Sequence, residues 1–364
     1  MPITITNDYQ LPYDITSEAG IGFDVDITDA VLTVADKDRN LRVEALRVAE
    51  PQPVSRLGSG AKAGFVNLAR IARPISSACV SAVSDSGGDL KLIPWFFRAS
   101  DNSFERRTPG FNASLGPVDE IVTFNHGVYK DYGHAILATV TSGIITVRHL
   151  TLSPIAELTV TTNPLLPPIM GDTLRAGALG SGRFYTIFSN PSDKMVVGIW
   201  EVNSGNRPTL VKLSTPLNDK IDRLAAVAAG SDMLITGTRR KGTSTLKLTA
   251  WRVGGDGGLT KLADTGKLGV PGDALSMFAS DFSGDVEVFP TGIIGSIVTG
   301  IRGQDDMLRI VRWHILNNGQ ITQVVASAAL AGPIERLALR ERSNGAVACV
   351  TTPGKKLRIL SIGF

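Results

Sequence analysis

The chain has 364 residues, 43% of them hydrophobic, and a net charge of only +3 from 37 basic and 34 acidic side chains. The basic residues are scattered, with Arg239, Arg240 and Lys241 the one short run, so the concentrated basic face that nucleic acid requires is missing. No stretch of roughly eighteen apolar residues suggests a membrane span, so no membrane partner is expected.

The two cysteines, Cys79 and Cys349, are too few for a disulfide framework and sit in apolar runs, where buried free thiols are expected. Met1 is followed by PITITNDYQL, which has neither a basic n-region nor an apolar h-region. A cytoplasmic location is therefore expected; a secreted or periplasmic chain that had lost its leader would read the same.

In chain order, Pro2-Ile3-Thr4-Ile5-Thr6 alternates as a strand and belongs to no repeat. One segment type then recurs seven times, about every fifty residues: LRVEAL from Leu41, LKLIPW from Leu90, ITVRHL from Ile145, MVVGIW from Met195, LKLTAW from Leu246, LRIVRW from Leu308 and LRILSI from Leu357. Its first, third and sixth places are apolar in every copy. Short Val-, Ile-, Leu- and Thr-rich runs bounded by Gly, Asn, Asp or Ser surround each copy and read as four strands joined by turns. Gly254-Gly255-Asp256-Gly257-Gly258 and Asn317-Asn318-Gly319 supply the tight-turn chemistry. No segment shows helical spacing, and 38 glycines and 19 prolines argue against one. The last repeat stops at Phe364, after its third strand, so the N-terminal strand is expected to complete it and remove two exposed edges.

A four-strand unit of this size cannot bury both faces alone, and stacking such units around an axis does so. The repeat with its apolar LxLxxW strand resembles the β-propeller superfamily. The resemblance covers essentially the whole chain and implies a single all-β domain, a seven-bladed β-propeller of four-stranded antiparallel blades. The expected blades are residues 21–60, 64–114, 117–162, 172–215, 220–267, 273–330 and 333–364, with residues 1–8 as the closing strand of the seventh. The Gly-His and Trp-Asp signatures of WD40 blades, the sialidase box and the kelch double glycine are absent; Ser84-Asp85-Ser86-Gly87-Gly88 only resembles the start of that box.

In such a ring the first strand of each blade lines a central channel. Aligning FDVDI, VNLAR, DEIVT, LRAGA, DRLAA, LSMFA and ERLAL gives one polar column: Asp24, Asn67, Glu120, Arg175, Arg223, Ser276 and Arg336. A ring of seven polar side chains facing the axis is the expectation. It either solvates a channel or binds a ligand, the arginines gripping a carboxylate or phosphate and Asp24 with Glu120 serving as acid and base. Asp119, Asp222 and Glu335, one place earlier, point the other way and cap blade ends or pair with arginines.

Two insertions break the repeat. The run from Asn125 to His134 reads as a loop surface carrying His126, Tyr129, Lys130, Tyr132 and His134; the second spans Asp281 to Pro290. A metal reading would use His126, His134 and Asp131, but that spacing matches no zinc pattern, so no metal and no cofactor are expected. Asp36-Lys37-Asp38-Arg39-Asn40 reads as a turn rather than a calcium loop, Asn112-Ala113-Ser114 as a chance sequon, and the four tryptophans as core.

No nucleophile elbow, phosphate loop or dinucleotide fingerprint is present. Two functions stand: a monomeric binding propeller taking a small anionic or carbohydrate-like ligand or a protein partner, and a hydrolase or lyase acting on such a ligand at the channel mouth. A lectin would need equivalent aromatic pockets in each blade, and the loops differ.

Overall fold

Burial decides what each strand of the repeat is made of. The second strands, such as Tyr132–Thr141 and Gly345–Thr351, are buried along nearly their whole length and are rich in Ala, Val, Ile and Leu without strict alternation. A strand covered on both faces has no reason to alternate. Outer strands such as Leu158–Thr162 and Ile321–Ala326 are only partly covered and admit Thr and Gln. The computed structural model describes residues 3–16, 21–25, 29–48, 53–59, 63–107, 114–129, 131–162, 169–180, 182–217, 220–229, 232–243, 245–265, 268–280, 293–303, 305–342 and 345–364. Among these there is no helix.

Each repeat runs as an antiparallel meander. In the third, Glu120–Tyr129 pairs with Tyr132–Thr141, that strand with Ile144–Leu152, and that with Leu158–Thr162. The inner strands of the seven repeats are Ile21–Val25, Ala63–Ile75, Glu120–Tyr129, Asp172–Ala178, Ile221–Ala228, Leu268–Ser280 and Arg336–Arg342. Each lies against the next, and the last lies against the first, so the repeats form a propeller arrangement around an axis. The N-terminal strand Thr4–Gln10 pairs antiparallel with the last strand, Leu357–Gly363, from Thr4↔Gly363 to Gln10↔Arg358. Pro2, expected in that strand, lies outside the described residues.

Hydrogen bonding groups the strands into five sheets, not into the seven separate blades expected from the repeat count. Two sheets are eight-stranded. In one, Asn40–Arg47 pairs with the start of the next inner strand (Asn40↔Phe65, Leu41↔Ala63); in the other, Thr245–Val253 pairs likewise (Thr245↔Pro271, Leu246↔Leu268). Both of these inner strands are 13 residues long. Their extra length reaches back to the free edge of the preceding third strand, and unpaired edge groups recruit whatever strand comes within reach.

The core is divided into clusters between neighbouring repeats. Val31, Ala45, Ile71 and Trp95 join the first two, Ile136, Phe184 and Trp200 the third and fourth, and Phe23, Leu32, Val347 and Ile359 the seventh and the first. Four third strands carry a buried Trp whose indole N–H donates to a hydroxyl on the second strand: Trp95 to Ser81 at 3.0 Å, Trp200 to Thr186 at 2.9 Å, Trp251 to Thr236 at 3.0 Å and Trp313 to Thr299 at 3.0 Å. The ring takes the hydrophobic load and the hydroxyl satisfies the one polar atom that burial would otherwise strand. Both cysteines are buried free thiols.

Turns fall where the residues predict. Asp36 Oδ1 accepts the backbone N–H groups of Asp38 and Asn40 at 3.0 Å each, an Asx turn, and Asp85 does the same for Gly87 and Asp89. The run from Asn125 to His134 is not a loop. The strands continue to Tyr129 and resume at Tyr132, so it is the end of a long hairpin, turning through Asp131 at φ 67°. Lys130, the sequon residues Asn112 and Ala113, and the insertion from Asp281 to Pro290 lie outside the described residues.

Candidate functional site

The inner strands enclose a cavity of about 490 Å³ on the propeller axis, a volume suited to a small molecule. Cross-strand register sets the height of each side chain along it. Glu120, Arg223 and Arg336 pair with Val140, Arg239 and Thr351, the second-strand residues that themselves face the first residue of the recurring segment. Arg175 and Ser276 pair two residues deeper, with Ile187 and Gly300, and so does Arg70, with Ala82. Asp24 and Arg340 pair two residues deeper again, with Val31 and Val347.

The seven polar positions are therefore not one ring. Bulges at Val66/Leu68, Asp172/Arg175, Ile221/Arg223 and Gly272/Leu275 insert residues into four inner strands. Each inserted residue shifts the rest of its strand along the axis, so an equal offset in sequence is not an equal height. Of the seven, Asp24, Glu120 and Arg175 line the cavity. Asn67 sits at a bulge and is spent on structure: its Oδ1 accepts Arg39 Nη1 at 3.1 Å and its Nδ2 donates to the Asp85 carbonyl at 2.8 Å. Arg223 and Arg336 are exposed, and Ser276 is placed by its backbone only.

The residues that sequence alignment missed are Arg70, Asn125, Tyr185 and Arg340, all in the cavity wall. Arg70 lies three residues past Asn67, at channel-facing parity once the bulge there is counted, and Arg340 lies four past Arg336 on an unbulged strand. Three arginines then face two carboxylates in this wall. Glu120 is engaged: Arg175 Nη1 donates to Oε1 at 3.0 Å and the Leu174 N–H to Oε2 at 2.7 Å. Arg70 and Arg340 donate to their preceding carbonyls, Ala69 at 2.7 Å and Leu339 at 3.0 Å, and neither has a carboxylate partner among the described residues. Enclosure by protein, then the neighbouring guanidinium of Arg175, pulls the pKa of Arg70 down to about 10. A Cβ on Gly22 would stand 2.7 Å from Arg70 Cα, so glycine is what lets the first inner strand pack here.

Asp24 accepts the Arg73 N–H at 2.8 Å and Asn125 Nδ2 at 2.9 Å on Oδ2, and the Val25 N–H at 3.1 Å on Oδ1. Enclosure raises its pKa despite these donors and the nearby charge of Arg340. Asp24 and Glu120 are four residues apart in height, roughly 13 Å along a strand. The opposite wall is small and apolar, built from Ala176, Gly177, Ala225, Ala226 and Ala228. Tyr185 beside it donates its hydroxyl to the Ala226 carbonyl at 2.9 Å.

At the far end of the third repeat, His126, His134 and His149 gather from its first three strands. His134 Nδ1 lies 3.1 Å from His149 Nε2, and the His126 ring stands edge-on to His149. Burial pushes His149, 1% exposed, down to about 4, with His134 and His126 adding to it. Asp131 does not join them, and among the described residues no His, Cys, Asp and Glu group is arranged to hold a metal ion. Tyr129 and Tyr132, 65% and 47% exposed, project at the hairpin end, opposite the Glu120 end of the strand. Of the second acidic column, Asp222 pairs with Arg239 at 2.8 Å and Asp119 accepts the Ser142 N–H at 2.6 Å, as expected of capping and pairing roles.

The sequence matches no family model and no curated protein. Solved structures match along most of the chain. BBS1N in complex with ARL6DN is 12% identical, covers 99% of this chain and 97% of its own, and has a TM-score of 0.54. The periplasmic gluconolactonase PpgL of Pseudomonas aeruginosa is 12% identical over 87% of this chain and 86% of its own, with a TM-score of 0.55. A variant of Aleuria aurantia lectin bound to α-methyl-L-fucoside is 11% identical over 88% of this chain and 99% of its own, with a TM-score of 0.51. Likeness at this identity bears on architecture alone. With the inner strands ringed about one axis, it establishes that the chain is a β-propeller.

Proposed function

We propose that this β-propeller is a binding protein that takes a small carboxylate-bearing ligand into its axial channel. The ring is read as seven four-strand units, two pairs of them fused edge to edge, with the N-terminal strand supplying the last strand of the seventh. The observation that carries the function is Arg70, a guanidinium enclosed in the channel with only its neighbour's carbonyl for a partner, beside Arg175 and Arg340. Glu120 acts on Arg70 through its charge but is hydrogen-bonded to Arg175 and the Leu174 amide. An enclosed guanidinium with no carboxylate hydrogen-bonded to it is costly, and a ligand carboxylate or phosphate removes that cost through paired, charge-assisted hydrogen bonds. The structural neighbours support binding as a use of this fold: one is crystallised with ARL6DN and another with a fucoside.

A second reading, a hydrolase or lyase at the same place, is favoured by Asp24, whose raised pKa suits a proton-transferring group. Glu120, held by Arg175 and the Leu174 amide, is a clamp in either reading.

Calorimetric titration of the wild type and of Arg70→Ala with D-glucuronate and with cyclohexanecarboxylate tests the proposal. Wild type binds at least one of them, and the variant loses about tenfold or more in affinity, the worth of a charged hydrogen bond, with its melting temperature nearly unchanged. Equal affinity in the two proteins, or no binding of either acid, refutes it.

A further inference from the structure

The deepest level of the channel holds a second unmet demand. Asn125 turns its amide nitrogen to Asp24 Oδ2, as a carboxylate requires, and this leaves Asn125 Oδ1 buried with no hydrogen-bond partner. A buried acceptor left empty is costly, and only a donor can satisfy it. Asp24 Oδ1 beside it accepts a single N–H, from Val25, and has lone pairs to spare. An ammonium group would serve as donor, but Arg340 stands at the height of Asp24 and the wall already carries more arginines than acids. A neutral hydroxyl is the donor that the charges allow.

The two demands are separated. Arg70 lies two residues above Asp24 in the register, roughly 7 Å along the strand. Between them the facing wall is small and apolar at Ala225 and Ala226, with the Tyr185 hydroxyl lying over Gly177. From this juxtaposition we propose that the channel ligand is a polyhydroxylated carboxylate of the sugar-acid class. Its carboxylate lies on Arg70, and one hydroxyl donates to Asn125 Oδ1 with a neighbouring hydroxyl donating to Asp24. The inference rests on the carboxylate reading above and adds the hydroxyl end to it.

Three probes of one shape separate the two claims: D-glucuronate carries carboxylate and hydroxyls, cyclohexanecarboxylate the carboxylate alone, and D-glucose the hydroxyls alone. By calorimetry on the full chain, glucuronate binds about tenfold or more tighter than either of the others. Asn125→Leu, checked for an unchanged melt, closes the gap between glucuronate and cyclohexanecarboxylate while leaving the latter's affinity in place. If wild type binds those two acids equally, the sugar-acid inference falls and the carboxylate reading survives. If glucose binds as tightly as glucuronate, or nothing binds, both fall. The wild-type ratio decides the matter even if the Asn125 variant does not fold.

Discussion

The second and third strands of this propeller and its inner strands are built on opposite rules. In the former, four repeats place an indole against a hydroxyl with nearly the same geometry, from Trp95 on Ser81 to Trp313 on Thr299. In the inner strands the repeats diverge: one level offers Arg70, Arg175 and Gly22, another Asp24, Phe124 and Arg340, and four of the seven strands carry bulges near their starts. Packing one repeat on the next is the same problem each time, and four of the seven repeats meet it with the same pair. The channel wall is under no such demand to repeat, and its residues differ. Repetition marks the scaffold, and its loss marks the site.

Three perturbations bear on this contrast. The largest effect is expected from deleting residues 1–8. This removes the buried Ile3 and most of the ladder on Leu357–Gly363, at more than about 5 kcal/mol, and bares an edge strand. Thermal unfolding measures it, and an unchanged melting temperature would mean that the strand does not hold the ring. Next is Trp200→Ala, which empties a fully buried site between the third and fourth repeats and costs about 3–5 kcal/mol by denaturant titration. If it costs no more than Arg70→Ala, scaffold and channel are not energetically distinct.

The smallest is the acid response of His149. Its pKa in the fold is about 4 against an ordinary 6.5, so the ring is neutral in the folded chain at pH 7 while the unfolded chain takes up a proton near pH 6.5. Its contribution is complete above pH 6.5 and is lost as pH falls toward 4. Melting temperature should decline across that window, and His149→Phe should flatten part of the decline. An identical slope in the variant would show that the histidine cluster is not its source.

Much of the scaffold is legible in the sequence. The recurring segment, its apolar sixth place and the turn residues follow from burial and local backbone preference, which act within a few residues. That Asp222 pairs with an arginine is legible too, but that the partner is Arg239, 17 residues on and on the neighbouring strand, is not. The channel is half legible. Asp24, Glu120 and Arg175 emerge because inner strands alternate, but alignment selects Asn67 in place of Arg70 and Arg336 in place of Arg340. The bulge at Asn67 leaves no mark in a sequence and resets the register of everything after it, whereas Arg340 lies on the same unbulged strand as Arg336, four residues deeper. His149 escapes for a related reason: it meets His134 across the pairing of the second and third strands, and one strand's alternation does not show its neighbour's.

Composition, turn chemistry and repeat spacing thus determined by themselves that this chain is all-β, repetitive and ringed. Tertiary structure alone decided how the meanders join into five sheets, because an edge hydrogen bond forms wherever a long strand reaches a free partner. It alone decided which arginines share the axis, because height in the channel is set by cross-strand register and not by position along the chain.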